Sequence, residues 1–111
     1  ANIFQCKKPS KREKEAGLRK LPKVKNRKNF HPSVKPIKLM RWLCRLVTPE
    51  GGLIVDPFLG SGTTAMAALM EGFSCIGCEM NKEYAKIIEH RIQFIQKSIA
   101  EKKQLDKNNS Q

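Results

Sequence analysis

The run Val55-Asp56-Pro57-Phe58-Leu59-Gly60-Ser61-Gly62-Thr63-Thr64 joins an apolar stretch to an acid, two glycines and two hydroxyls, and a second acid, Glu79, follows 23 residues after Asp56. In an open parallel sheet, ligands collect beyond the carboxyl ends of the strands. Asp56 and Glu79 are expected there, at the tips of two neighbouring strands. A carboxylate at the second tip can accept both hydroxyls of a ribose, because its two oxygens carry several lone pairs. Gly60 and Gly62 allow the backbone to bend close to a ligand, and the amides opening the next helix can receive a carboxylate or another electron-rich group. The chemistry this arrangement suits is the capture of a nucleoside.

Two commoner nucleotide sites do not match. A phosphate-binding loop calls for a lysine directly after its last glycine, and Gly62 is followed by Thr63. Nicotinamide and flavin folds prefer G-x-G-x-x-G, whereas Gly60 and Gly62 lead to Ala65. The expected ligand is a nucleoside with an amino-acid-like tail and no pyrophosphate. The plainer alternative is a glycine-rich turn between packed elements, with Glu79 merely solvated. Cys75 and Cys78 have C-x2-C spacing but no second ligand pair at zinc-finger distance, and residues three apart in a strand face opposite sides. Packed thiols are expected, and no metal.

The elements that must position these groups follow from periodicity. Pro36 suits the first turn of a helix running to Val47, with Ile37, Met40, Leu43 and Val47 on an apolar face and Lys38, Arg41 and Arg45 on a basic one. Trp42 is expected to pack at the core edge. Leu53-Ile54-Val55 reads as a short strand covered on both faces, as in a parallel sheet. Thr63 to Glu71 is apolar nearly all round, so that helix must be buried, with Gly72 closing it. Phe73 to Cys78 forms a second strand. Asn81 caps a last helix carrying Tyr84, Ile88, Ile92 and Ile95 on one side. Strand, helix, strand and helix in that order imply a right-handed parallel crossover in an α/β protein.

Charge divides the chain. Residues 1–45 carry 15 bases against two acids and the remainder seven against eight, so the net +12 belongs to one segment. Such a field targets phosphate backbones; a solvated basic arm without a partner is the alternative. Residues 1–29 read as a flexible basic segment, with Ser10 and Glu13 forming a capping box at the start of a helical turn and Gly17 ending it. Residues 30–100 form the ligand-binding domain, and residues 101–111 a disordered polar tail. With 111 residues a complete three-layer sandwich is out of reach, so an incomplete core is expected. No apolar run approaches the ~20 residues that span a membrane, and no signal-peptide core stands near Ala1. A cytoplasmic, intracellular location is expected, with the basic segment on a phosphate backbone.

Asp56 to Thr64 resembles the cofactor loop of the DNA amino-methyltransferases, which transfer a methyl group from S-adenosylmethionine to N6 of adenine or N4 of cytosine. Asn29-Phe30-His31-Pro32-Ser33-Val34-Lys35-Pro36 resembles the H-P-T-x-K-P segment of the same family, with Ser33 keeping the hydroxyl of the usual threonine. The order of the two motifs resembles the permuted class, whose catalytic segment, Asp, Asn or Ser followed by Pro-Pro and an aromatic, comes first and does not occur in these residues. The resemblance implies a partial Rossmann-like methyltransferase fold. It also implies S-adenosylmethionine as cofactor, held by His31, Ser33, Lys35, Asp56, Pro57, Phe58, Gly60, Ser61, Gly62, Thr63 and Glu79. Double-stranded DNA is the implied partner, with Arg19, Lys20, Lys23, Lys25, Arg27 and Lys28 facing its backbone. No catalytic residue is assigned. The chain alone is expected to be inactive, needing an N-terminal catalytic half, a second copy or a companion subunit. The rival functions are methylation of RNA or protein, and a non-catalytic nucleic-acid-binding module or split subunit with a relict pocket.

Overall fold

A computed structural model describes residues 7–23, 27–29 and 31–109. Two of the residues singled out above, Lys25 and Phe30, lie outside the described set. Strand β1 (Leu53–Asp56) pairs in parallel with β2 (Ser74–Gly77), in the register Leu53 to Ser74 through Asp56 to Gly77. Ahead of them come α1 (Lys11–Glu15) and α2 (Ile37–Val47); α3 (Thr63–Met70) is the crossover between the strands, and α4 (Lys82–Asn109) follows β2.

Helix α3 is the centre of the molecule. Its Ala65, Met66, Ala67 and Ala68 are buried, because α2 packs on it from one side, the sheet from another and α4 from a third. Alanines allow this close approach while favouring the helix. One core cluster joins Cys44 of α2, Ala67 and Ala68 of α3, and Phe73, with Met40, Ile54 and Cys75 packed around it. The helix stops where expected. Gly72, at φ 81°, turns left-handed, its amide bonds to Leu69 O and the Phe73 amide to Ala68 O, which is the Schellman pattern.

Three expectations need correction. The sheet is covered on one face only: Ile54 and Cys75 point into the core, whereas Leu53, Val55 and Ile76 are 55%, 62% and 55% exposed. Helix α2 meets the core through Met40 and Cys44, leaving Leu46 and Val47 outside. Its basic face is not simply solvated either. Arg41 and Arg45 both donate to Oε1 of Glu71, each at 2.6 Å. Glu71 closes α3, where an acid is disfavoured by the carbonyl end of the helix, and the two guanidiniums compensate it.

The described part of the basic segment is docked. Ser10 caps α1 by accepting from the Glu13 amide. Glu13, freed from the capping-box role, accepts instead from the amide of Ile37 at 2.8 Å and so caps α2, whose own N-cap residue Pro36 offers no side-chain acceptor. Asn29, 1% exposed, donates to Lys14 O. Gly17, at φ 84°, lies so close to α4 that a Cβ would sit 2.5 Å from Phe94 Cβ, and Leu18 beside it is fully buried.

Helix α4 also exceeds its expected end. It continues through Asn109, and residues 101–109 are all exposed. Glu, Lys, Gln and Leu in this stretch are strong helix formers and no Gly or Pro interrupts them, so the helix propagates beyond its last packed turn. No described helix is long and apolar enough to cross a membrane.

Leu18→Ala should cost about 2–5 kcal/mol as a large-to-small change in a sealed site. It should also speed tryptic cleavage at Arg19 and Lys20, as read by limited proteolysis. Glu71 gives a pH prediction. Burial works to raise its pKa, but the Arg41 hydrogen bond and the charges of Arg41 and Arg45 outweigh burial and leave it below the usual 4.5. A lowered folded-state pKa adds stability above the unfolded value, which is lost as pH falls through the folded one. The gap in urea midpoint between the native protein and Glu71→Gln should therefore be full at neutral pH and shrink below 4.5.

Candidate functional site

In the loop between β1 and α3 the amides of Phe58, Leu59, Gly60 and Gly62 each find an acceptor. The Asp56 carboxylate accepts from the Phe58 amide at 3.0 Å, an Asx turn that starts the bend. Two ladder bonds continue past the strand ends, Cys78 N to Asp56 O and Leu59 N to Cys78 O. Leu59 lies over Gly77, where a Cβ would stand 2.6 Å from Leu59 Cδ2. The two loop glycines then do different work. Gly60, at φ 62°, brings the backbone against His31, whose Nε2 would lie 3.0 Å from an added Cβ. Gly62, at φ 88°, is buried on the opposite side against Ile88 and serves as the N-cap of α3.

Glu79 ties the two halves together. Its Oε2 accepts from Gly60 N at 2.8 Å and its Oε1 from Asn81 N at 3.1 Å. Each carboxylate oxygen has a further acceptor position, so one lone-pair direction on each remains for a ligand. Asn81 in turn caps α4 by accepting from the amides of Glu83 and Tyr84.

His31 closes the third side. Its ring lies 4.5 Å from that of Tyr84, tilted by 58°. The Ser33 amide donates to Nδ1 at 3.1 Å, which puts the ring proton of the neutral imidazole on Nε2. The pKa of His31 lies below 6.5: burial lowers it most, Glu79 opposes, and Lys35 and Arg91 add to the lowering.

These groups surround one cavity of about 690 Å³, within the range of small-molecule sites. Ten of the eleven residues expected at the site line it: His31, Ser33, Lys35, Asp56, Pro57, Phe58, Gly60, Ser61, Thr63 and Glu79. Gly62 does not, since it faces Ile88. Leu39, Met40, Leu59, Thr64, Cys78, Met80 and Tyr84 complete the lining. Phe58 and Met80 are 88% and 98% exposed, large apolar groups at the mouth that the described residues leave open. Met80 could have been read from the sequence as the neighbour of Glu79, and Tyr84 as the first residue of the helical stripe. Of the two thiols, Cys75 packs into the core and Cys78 is exposed along the cavity. No group of three or more metal-ligating side chains occurs among the described residues.

A deeper residue carried no signal. Arg91 of α4 is wholly buried, and its Nη1 donates to Ser61 O, Ser61 Oγ and Thr63 Oγ1 at 2.8, 3.1 and 3.3 Å. Of the basic residues expected to face DNA, Arg19, Lys20, Lys23 and Arg27 are exposed, while the Lys28 ammonium donates to Arg19 O and holds the segment to itself.

Comparison with known proteins bears on this pocket. A family model described as DNA methylase (N6_N4_Mtase) matches residues 1–90. Among curated relatives, the Type II methyltransferase M2.DpnII of Streptococcus pneumoniae is 41% identical over 71 residues, 64% of this chain and 26% of its own length. M.HindIII of Haemophilus influenzae, also a Type II methyltransferase, is 42% identical over 65 residues, covering 59% and 21%. M.MjaI of Methanocaldococcus jannaschii, another, is 32% identical over 96 residues, covering 81% and 32%. The chain thus spans between a fifth and a third of the length of these relatives. The family match takes in the docked basic segment, the loop, Glu79 and the start of α4 together, and the chain belongs to the DNA methylase family.

Proposed function

We propose that the cavity binds S-adenosylmethionine and that the chain is the cofactor-binding portion of a DNA methyltransferase acting on an exocyclic amino nitrogen, N6 of adenine or N4 of cytosine. The observation that carries this reading is that Asp56 and Glu79 line one cavity on either side of the Gly60 bend, the two acids held 2.8 to 3.1 Å from loop amides. The residues fit the cofactor. The open lone pairs of Glu79 suit the two ribose hydroxyls, Phe58 and Met80 offer apolar surfaces for the faces of an adenine, and the first amides of α3 suit a tail carboxylate. His31, seated on Gly60 and Tyr84, covers the tail side and limits water there. When bound, the cofactor supplies a sulfonium methyl group for in-line displacement.

The finer architecture follows from the same reading. The sheet is the cofactor-binding half of a Rossmann-like fold in the permuted arrangement. The uncovered face of Leu53, Val55 and Ile76 receives further helices and the edges of the sheet further strands, which together carry the catalytic segment. A two-stranded sheet with one bare face is marginal by itself, and the short coverage of the relatives supports this view. Arg19, Lys20, Lys23 and Arg27 then meet DNA phosphates, positioning the duplex without reading its sequence.

In the full-length protein, Asp56→Ala and Glu79→Ala should each weaken binding of S-adenosylhomocysteine by about tenfold or more in calorimetry, as expected for loss of a hydrogen bond to a charged group. Glu79→Ala should lose more, since it also unties Gly60. Unchanged affinity in both variants would sink the assignment. For the basic segment, replacing Arg19, Lys20 and Lys23 with glutamine should reduce the slope of log affinity against log salt by about 0.9 for every phosphate that is no longer neutralised.

A further inference from the structure

The burial of Arg91 is costly. A guanidinium has only donors, and Nε and Nη2 of Arg91 are buried with no partner among the described residues. Among the described residues the ion pairs found are those of Glu71, and Glu13 is the acid that acts on Arg91 through its charge. An unpaired buried cation is destabilising, and folding alone would be better served by an apolar side chain in this position. The apolar stripe of Ile87, Ile88 and Ile95 around it shows that the site could hold one.

What Arg91 does to the loop is specific. It pulls the Ser61 carbonyl towards α4, so that this electronegative group is engaged behind the loop. Because Nη1 can only donate, the hydroxyls of Ser61 and Thr63 accept from it, and their own hydrogens stay available. The two hydroxyl oxygens are 3.4 Å apart, so at most one hydrogen is taken up between them and at least one is left to donate elsewhere. Both residues line the cavity. Above them, α3 begins at Gly62 without a side-chain cap, leaving first-turn amides with no intrahelical acceptor. Carbonyl engaged, hydroxyls donating, amides open and a positive charge beneath with no ion-pair partner among the described residues: the loop is set up to receive an anion.

Resting on the cofactor reading above, we propose that Arg91 is a positioning residue that turns the loop into the receptor for the cofactor's tail carboxylate. It acts through Ser61 and Thr63 without lining the cavity itself. Burial holds its pKa down to about 10, with Glu13 working the other way, so it keeps its charge throughout the neutral range.

The test compares two ligands on the full-length protein by calorimetry. One is S-adenosylhomocysteine; the other is its decarboxylated analogue, which keeps the adenosine, the thioether and the ammonium group. Arg91→Met should weaken the first by about tenfold or more and leave the second within about twofold, because only the first presents the carboxylate. Arg91→Lys, which keeps the charge but not the fork of donors, should fall between and serves as the measurement should the Met variant not fold. Equal losses for the two ligands, in either variant, would show Arg91 to be a packing residue and overturn the proposal. Failure of the native protein to bind either ligand would instead remove the cofactor reading on which it rests.

Discussion

Close packing on α3 is the constraint from which the rest follows. With three alanines and a methionine sealed between α2, the sheet and α4, there is little side-chain bulk to shift, and the elements around it are held at short separations. The ladder between β1 and β2 fixes the distance between their ends, and α3, the connection between them, is held against that pair. It also sets where α4 begins, and hence where Asn81, Tyr84 and Arg91 stand relative to the loop. A larger residue at Ala67 or Ala68 would push apart groups whose chemistry depends on fractions of an ångström.

Electrostatics are arranged in layers around that core. At the far end of α3, Glu71 gathers Arg41 and Arg45; at its near end, Arg91 lies beneath the loop; on the cavity side, Asp56 and Glu79 hold the bend by accepting amides. The strong net positive charge is thus not uniform. Part of it is consumed in fixing α2 to α3, and part, on Arg19, Lys20, Lys23 and Arg27, is left facing solvent.

The loop was legible in the sequence because the groups that line the cavity at the tip of β1 are contiguous, and Glu79 because it follows the end of the neighbouring strand. The end of α3 was legible for the same reason, since Gly72 acts locally. What depends on distant neighbours was not. Arg91 sits 30 residues from Ser61, inside a helical stripe whose other members are isoleucines, and period alone treats an arginine there as an interruption. The destination of Glu13 was hidden because its local capping pattern was real but only half used. The docking of Leu18 needed a partner on α4, far along the chain. The bare sheet face could not be foreseen from strand composition, which reports what a strand could bury and not what is there to cover it. At the other extreme, residues 101–109 looked like a tail because they bury nothing, yet intrinsic propensity alone carries the helix on.

Glu13 spans two regions that otherwise have separate duties. It belongs to the basic segment, yet its carboxylate holds the first amide of the helix that follows His31, and Asn29, anchored to Lys14, accepts from the His31 amide. The segment and the imidazole over Gly60 are therefore joined by two short hydrogen-bonded relays, one through Glu13 and one through Asn29. Any free energy exchanged between the two ends along them is equal in both directions, as linkage requires.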